Sequence, residues 1–191
     1  AGKRQYAISC RIQQDEHDAM RGKTVIQRHG DRMVVQNPPS PPLNTEELDH
    51  VYELPYMRDY HPSYEALGGV PGIKEVKFSL VHNRGCFGAC NFCSLAYHQG
   101  RFISCRSEDS VVREAIGLTK MPDFKGYIHD VGGPTANFRH PSCQKQQKAG
   151  LCKGKKCLAP APCPALQVEH QEYLHLLRRL RALPKSEAKR S

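Results

Sequence analysis

Residues 74–93 read KEVKFSLVHNRGCFGACNFC. In the first eight, Val76, Phe78 and Leu80 fall at every second position, which predicts a strand over 74–81 with one apolar face turned inward. Cys86, Cys90 and Cys93 then follow within eight residues. Thiolates at that density hold metal. Three soft ligands on one loop suit iron-sulfur chemistry or zinc, and each normally takes four ligands, so the trio either borrows a fourth from elsewhere or keeps one position open.

Downstream, the period changes. Ser107 is placed to cap a helix whose Val111, Val112, Ala115, Ile116 and Thr119 share a side, and FKGYIHDV (124–131) predicts a second strand, broken by Gly132, Gly133 and Pro134. A last helix is expected in EHQEYLHLLRRLRAL, with Tyr173, Leu176, Leu177, Leu180 and Leu183 at helical spacing; Glu172 near its start and Arg178, Arg179 and Arg181 near its end suit the helix dipole. Strand, helix, strand, long loop, helix is the order of parallel strands joined by right-handed crossovers, so the fold class is α/β.

Upstream, TVIQ and RMVVQ flank RHGD and predict a β-hairpin in which Gly30 supplies a positive φ. The four prolines of NPPSPPL mark a connector, and Asn44 with Glu47 has the spacing of a capping box for a short helix that stops before Pro55. The first 32 residues are polar: YAISC suggests a short strand and QQDEHDAM a short helix. We therefore expect a mixed α+β segment over 1–72, an α/β part over 73–184 and a tail over 185–191.

The chain has 191 residues, 39% hydrophobic and 25% charged, enough for about one core. Its net charge of +9 is that of a scattered basic surface or of a protein with a polyanionic partner. Nucleic acid is the less favoured partner, because no basic stripe interleaved with aromatics appears. No apolar run is long enough for a membrane span, and AGKRQYAISC lacks the apolar core of a secretory signal. Nine cysteines, an odd number, in a chain of this size point to metal-bound or free thiols in a reducing, cytoplasmic compartment.

Ligands of parallel α/β folds collect beyond the carboxyl ends of strands, where both the cysteine loop and the Gly132–Gly133 break are expected. The spacing Cys-x3-Cys-x2-Cys, with Phe92 before the third cysteine, resembles the signature of the radical S-adenosylmethionine superfamily. The resemblance implies that Cys86, Cys90 and Cys93 bind three irons of a [4Fe-4S] cluster, and that S-adenosylmethionine chelates the fourth. One electron then cleaves a carbon–sulfur bond of S-adenosylmethionine and releases a 5′-deoxyadenosyl radical. It also implies that Phe92 contacts adenine or shields the cluster. Gly132, Gly133, Pro134 and Thr135, in DVGGPTANF, stand for the glycine-rich motif that holds the methionine amino group, with Pro134 and Thr135 in place of the acidic residue common in other families.

The match is closer than the superfamily. The segments beginning VVQNPPSPPLNTEELDHVYEL, HNRGCFGACNFCSLAYHQGR and FKGYIHDVGGPTANFRHPSC resemble the YgiQ family of radical S-adenosylmethionine proteins. The resemblance implies an enzyme served by an electron donor such as flavodoxin or ferredoxin, and it names a reaction class rather than a substrate. A full eight-unit barrel takes about 250 residues. The expectation is therefore a truncated partial (β/α) barrel holding only the first two β/α units. His98, Arg101 and Arg106 leave the cysteine loop and are candidates to offset negative charge.

Cys143, Cys152, Cys157 and Cys163 form a second group in a lysine-rich, proline-punctuated stretch. Tetrahedral zinc and a second [4Fe-4S] cluster both fit four cysteines. Cys10 and Cys105 read as ordinary small apolar residues. The competing reading of the whole chain is a non-catalytic, cysteine-rich zinc module whose basic surface binds RNA or another acidic partner.

Overall fold

The computed structural model describes residues 2–133 and 138–184; Pro134, Thr135 and the tail 185–191 lie outside them. In chain order the elements are α1 (Lys3–Glu16), β1 (Val25–His29), β2 (Arg32–Gln36), α2 (Thr45–Tyr52), a 3-10 turn (Pro62–Leu67), α3 (Ile73–Val76), β3 (Ser79–Val81) and β4 (Asn83–Arg84), then α4 (Leu95–Gln99), β5 (Ser104–Cys105), α5 (Glu108–Thr119), β6 (Asp130–Gly132), α6 (Gln144–Ala149) and α7 (Gln171–Arg181). The fold is mixed α/β with short sheets and no closed barrel among the described residues. The chain divides into two compact units. One takes residues from 1–43, 84–104 and 138–169, the other from 44–83, 105–137 and 170–191.

The second unit holds the α/β core. β3 and β6 pair in parallel, Leu80 opposite Val131, as the element order predicts. Phe78 and Leu80 pack with Val111, Ala115 and Leu118 of α5 and with Leu176 of α7. Phe124 meets Phe78 edge-on, ring centroids 5.3 Å apart. Leu118, absent from the predicted stripe, is fully buried, whereas Ile116 is 37% exposed: the apolar face runs Val111–Ala115–Leu118. Ser107 caps α5 by accepting from the Ser110 N–H. Arg179 in the last turn of α7 pairs with Glu108 and Asp109 in the first turn of α5, where both helix dipoles favour those charges. The capping box forms in full on α2, Asn44 accepting from the Glu47 N–H and Glu47 accepting from the Asn44 N–H.

Both predicted strands are longer than the observed ones. Residues 73–76 are helical, closed by the Lys77 N–H donating to the Ile73 carbonyl, and Val76 is exposed rather than inward-facing. Lysine and glutamate there favour a helical turn once Pro71 and Gly72 have redirected the chain. In FKGYIHDV, Gly126 adopts φ +92°, and pairing is confined to Asp130–Gly132.

In the first unit, YAISC is helical rather than extended. The run KRQYAISCRIQQDE is rich in good helix formers, and α1 takes all of it. The β1–β2 hairpin has His29 opposite Arg32, leaving Gly30 (φ +64°) first in a two-residue turn, the place a type II′ turn reserves for glycine.

Candidate functional site

The cysteine loop belongs to the first unit. Gly85 opens it at φ +86°, and a Cβ there would fall 1.8 Å from the Phe102 carbonyl oxygen, so only glycine lets the two segments approach. The Cys86 N–H donates to the Gly100 carbonyl at 2.9 Å, and Phe87 stacks on Phe138 with centroids 4.1 Å apart. These contacts fix the base of the loop. Cys86 is buried, Cys93 half-buried and Cys90 exposed. Gly88 lies between two of the sulfurs: a Cβ on it would stand 3.3 Å from Cys86 Sγ and 3.7 Å from Cys90 Sγ. Its own N–H donates to Cys86 Sγ at 3.3 Å. Ala89 follows in the left-handed region, φ +47°.

Cys90 and Cys93 border a cavity of about 530 Å³, together with Phe92, Arg101 and Lys156. The Phe92 ring is 93% exposed. Arg101, only 5% exposed, donates one N–H to the Lys155 carbonyl. Its buried Nε has no hydrogen-bond partner, and no carboxylate pairs with it among the described residues. Lys156 donates to the Asn91 side chain within the loop. His98 is exposed at the end of α4. Three soft donors, an N–H directed at sulfur, two cations and this much room fit an anionic metal cluster. The three sulfurs do not converge on one point: among the described residues no three His, Cys, Asp or Glu side chains lie close enough to hold one ion.

Arg106 sits elsewhere, buried in the second unit. It donates to the Val81 carbonyl, Ser110 Oγ and Glu114, and lies 4.2 Å from the centroid of the Tyr52 ring. Arg58 reaches the same carboxylate at 2.6 Å. Arg106 thus ties α2 to the strand end through Tyr52.

The glycine pair also lies in the second unit, at the end of β6. A Cβ on Gly133 would be 1.6 Å from Asn83 Oδ1, so the amide of Asn83 occupies the space a side chain would need. Asn83 is 1% exposed, and both its Oδ1 and Nδ2 lack partners. A buried amide with neither end satisfied is costly. Asn83 belongs to no motif in the sequence; its place at the end of the strand run, three residues before Cys86, was the available signal.

All four cysteines of the second group, Cys143, Cys152, Cys157 and Cys163, line one small cavity in the first unit. The strand-poor loop around them is held by polar contacts. Gln146 accepts from the Ser142 N–H and Oγ and donates to the Arg101 carbonyl, three contacts between 2.7 and 2.9 Å. Asp18, 4% exposed, accepts from the Met20 and Leu151 N–H groups. Glu16 pairs with Lys153, and Asp15 accepts from the Gly154 N–H. The acidic end of α1 therefore clasps residues 150–154, and DEHDAMR has a role its polarity alone did not reveal. None of the nine cysteines is in a disulfide.

A family model described as Radical SAM N-terminal matches residues 1–79. UPF0313 proteins of Clostridium botulinum (strain Okra) and Clostridium perfringens (strain SM101) are 59% and 58% identical to the chain over 182 residues, 95% of its length. Over nearly all of its own length the chain is similar to these UPF0313, YgiQ-like proteins. It spans about 28% of the length of these UPF0313 relatives. No solved structure matches it significantly. Among the described residues no helix is long and apolar enough to cross a membrane.

Proposed function

We propose that this chain is the cofactor-binding part of a radical enzyme, in which Cys86, Cys90 and Cys93 hold a [4Fe-4S] cluster and S-adenosylmethionine binds beside it. The observation that carries the reading is the cysteine loop itself. Its three thiols follow the Cys-x3-Cys-x2-Cys spacing, and two of them border a roomy cavity rimmed by Arg101 and Lys156. When bound, the cluster supplies the electron that cleaves S-adenosylmethionine to a 5′-deoxyadenosyl radical. The Gly88 N–H donates to the Cys86 sulfur, and Arg101 and Lys156 offset the charge of the bound group. Phe92 offers an exposed ring against which adenine stacks. Gly132, Gly133, Pro134 and Thr135 are assigned to the methionine amino group, since glycines permit the close backbone approach that a charged amino group needs. In this reading β3, α5 and β6 begin a partial (β/α) barrel, a flavodoxin or ferredoxin in the cytoplasm delivers the electron, and the substrate is met by other parts of the longer protein.

Anaerobic reconstitution of the full chain tests this. Brown protein with about four irons and four sulfides per cluster, whose spectrum changes on adding S-adenosylmethionine, is the expected result. Cys90→Ala should lose that response and Cys152→Ala should keep it. A colourless protein after reconstitution, or a brown one indifferent to S-adenosylmethionine, would sink the assignment.

A further inference from the structure

The second group of cysteines is not used by that reading, and its geometry speaks to a different metal. Cys143, Cys152, Cys157 and Cys163 come from a 21-residue stretch and line a single cavity of about 30 Å³. A site that admits one water needs roughly 10–15 Å³ on the same measure. The cavity admits one ion, and the one at the cysteine loop, about 530 Å³, is far larger. We propose that these four thiolates bind a single zinc ion in a closed tetrahedral structural site, apart from the radical chemistry.

Two further observations favour it. Four thiolates around a divalent ion leave a net negative charge, and the same cavity is lined by Arg101, whose buried guanidinium has no carboxylate partner among the described residues, and by Lys155. An unpaired buried cation is costly, and an anionic tetrathiolate centre would offset it. The loop carries few apolar anchors, and a metal would order it. The sulfurs do not share one point, so binding must draw the loop inward.

The test uses the full chain carrying Cys86→Ala, Cys90→Ala and Cys93→Ala together, so that the outcome is independent of the proposed cluster. Made metal-free under anaerobic conditions and titrated with cobalt(II), it should take up about one ion per chain. Thiolate-to-cobalt charge-transfer and tetrahedral ligand-field bands should appear, and one equivalent of zinc should displace the cobalt. Adding Cys152→Ser and Cys157→Ser should abolish the bands. Because that variant can fail to fold, zinc protection of thiols from iodoacetamide is read in parallel on the cysteine-loop triple variant by peptide mass mapping. Cys143, Cys152, Cys157 and Cys163 should be shielded, with Cys10 as the unshielded control. No cobalt bands, cobalt bound through other residues, or a chain that incorporates iron and sulfide here in preference to zinc would overturn the proposal.

Discussion

His17 shows how a single side chain reports on the site. It is half-buried at the end of α1, its ring 5.9 Å from that of Tyr97, and it borders the cavity that Cys90 and Cys93 share. Burial, and after it the charge of Arg101, lowers its pKa below the ordinary value of about 6.5. The folded chain therefore holds His17 neutral where the unfolded chain has already protonated it. Its contribution to stability is complete above about pH 6.5 and declines as pH falls below that, until the folded pKa is passed and the imidazole is charged in both states. Unfolding of the native chain should lose more stability between about pH 7 and pH 5 than unfolding of His17→Gln, and the His17 ring resonance should titrate below about 6.5 by NMR. A midpoint at or above that value would refute the burial argument. Gly85 and Gly133 show the opposite kind of residue, fixed by what surrounds them: one faces the Phe102 carbonyl and the other the Asn83 amide, and neither neighbour leaves room for a Cβ.

At the scale of elements, local chemistry was the legible part. The capping box at Asn44 and Glu47 forms because both partners lie within one turn, and Asn44→Ala should cost about 1 kcal/mol, read as a drop in denaturation midpoint. No change would mean that tertiary contacts alone hold α2. The hairpin turn, the Ser107 cap and the apolar face of α7 were readable for the same reason, since each is decided by neighbours in sequence. The strands were over-read because alternation in KEVKFSLV cannot show where pairing ends; only the three-residue partner β6 decides that. The polar start was under-read because α1 has no strong apolar stripe, and its purpose lies in the contacts of Asp15, Glu16 and Asp18 with residues 150–154, more than 130 positions away. The cysteine spacing and the glycine pair stood out in the sequence. Asn83 did not, and Arg101 stood out only as a cation near the loop, because an orphaned polar group is visible only when its surroundings are.

For the molecule as a whole, the two compact units differ in what holds them together, and their segments alternate along the chain. The unit made from 44–83, 105–133 and 170–184 is built on a cluster of buried aliphatic and aromatic side chains, with Leu80, Val111, Ala115, Leu118 and Leu176 all at 1% exposure or less. The other unit relies more on polar clasps at Asp18, Gln146 and Glu16 and on a few apolar contacts such as Phe87 with Phe138. Local opening is easier where fewer apolar contacts must be broken. Hydrogen exchange should therefore alternate along the sequence: amides in 84–104 and 138–169 exchange faster, and those in the helix and strands of 105–133 more slowly, although 105–133 lies between them in the chain. A ligand that binds only the folded form of one unit adds stability to that unit. Zinc should thus slow exchange in 138–169 and in residues 15–18 that clasp it, leaving the α5 amides unchanged. Uniform protection across both sets of peptides would contradict the division, and a zinc effect centred on α5 would contradict the placement of the metal.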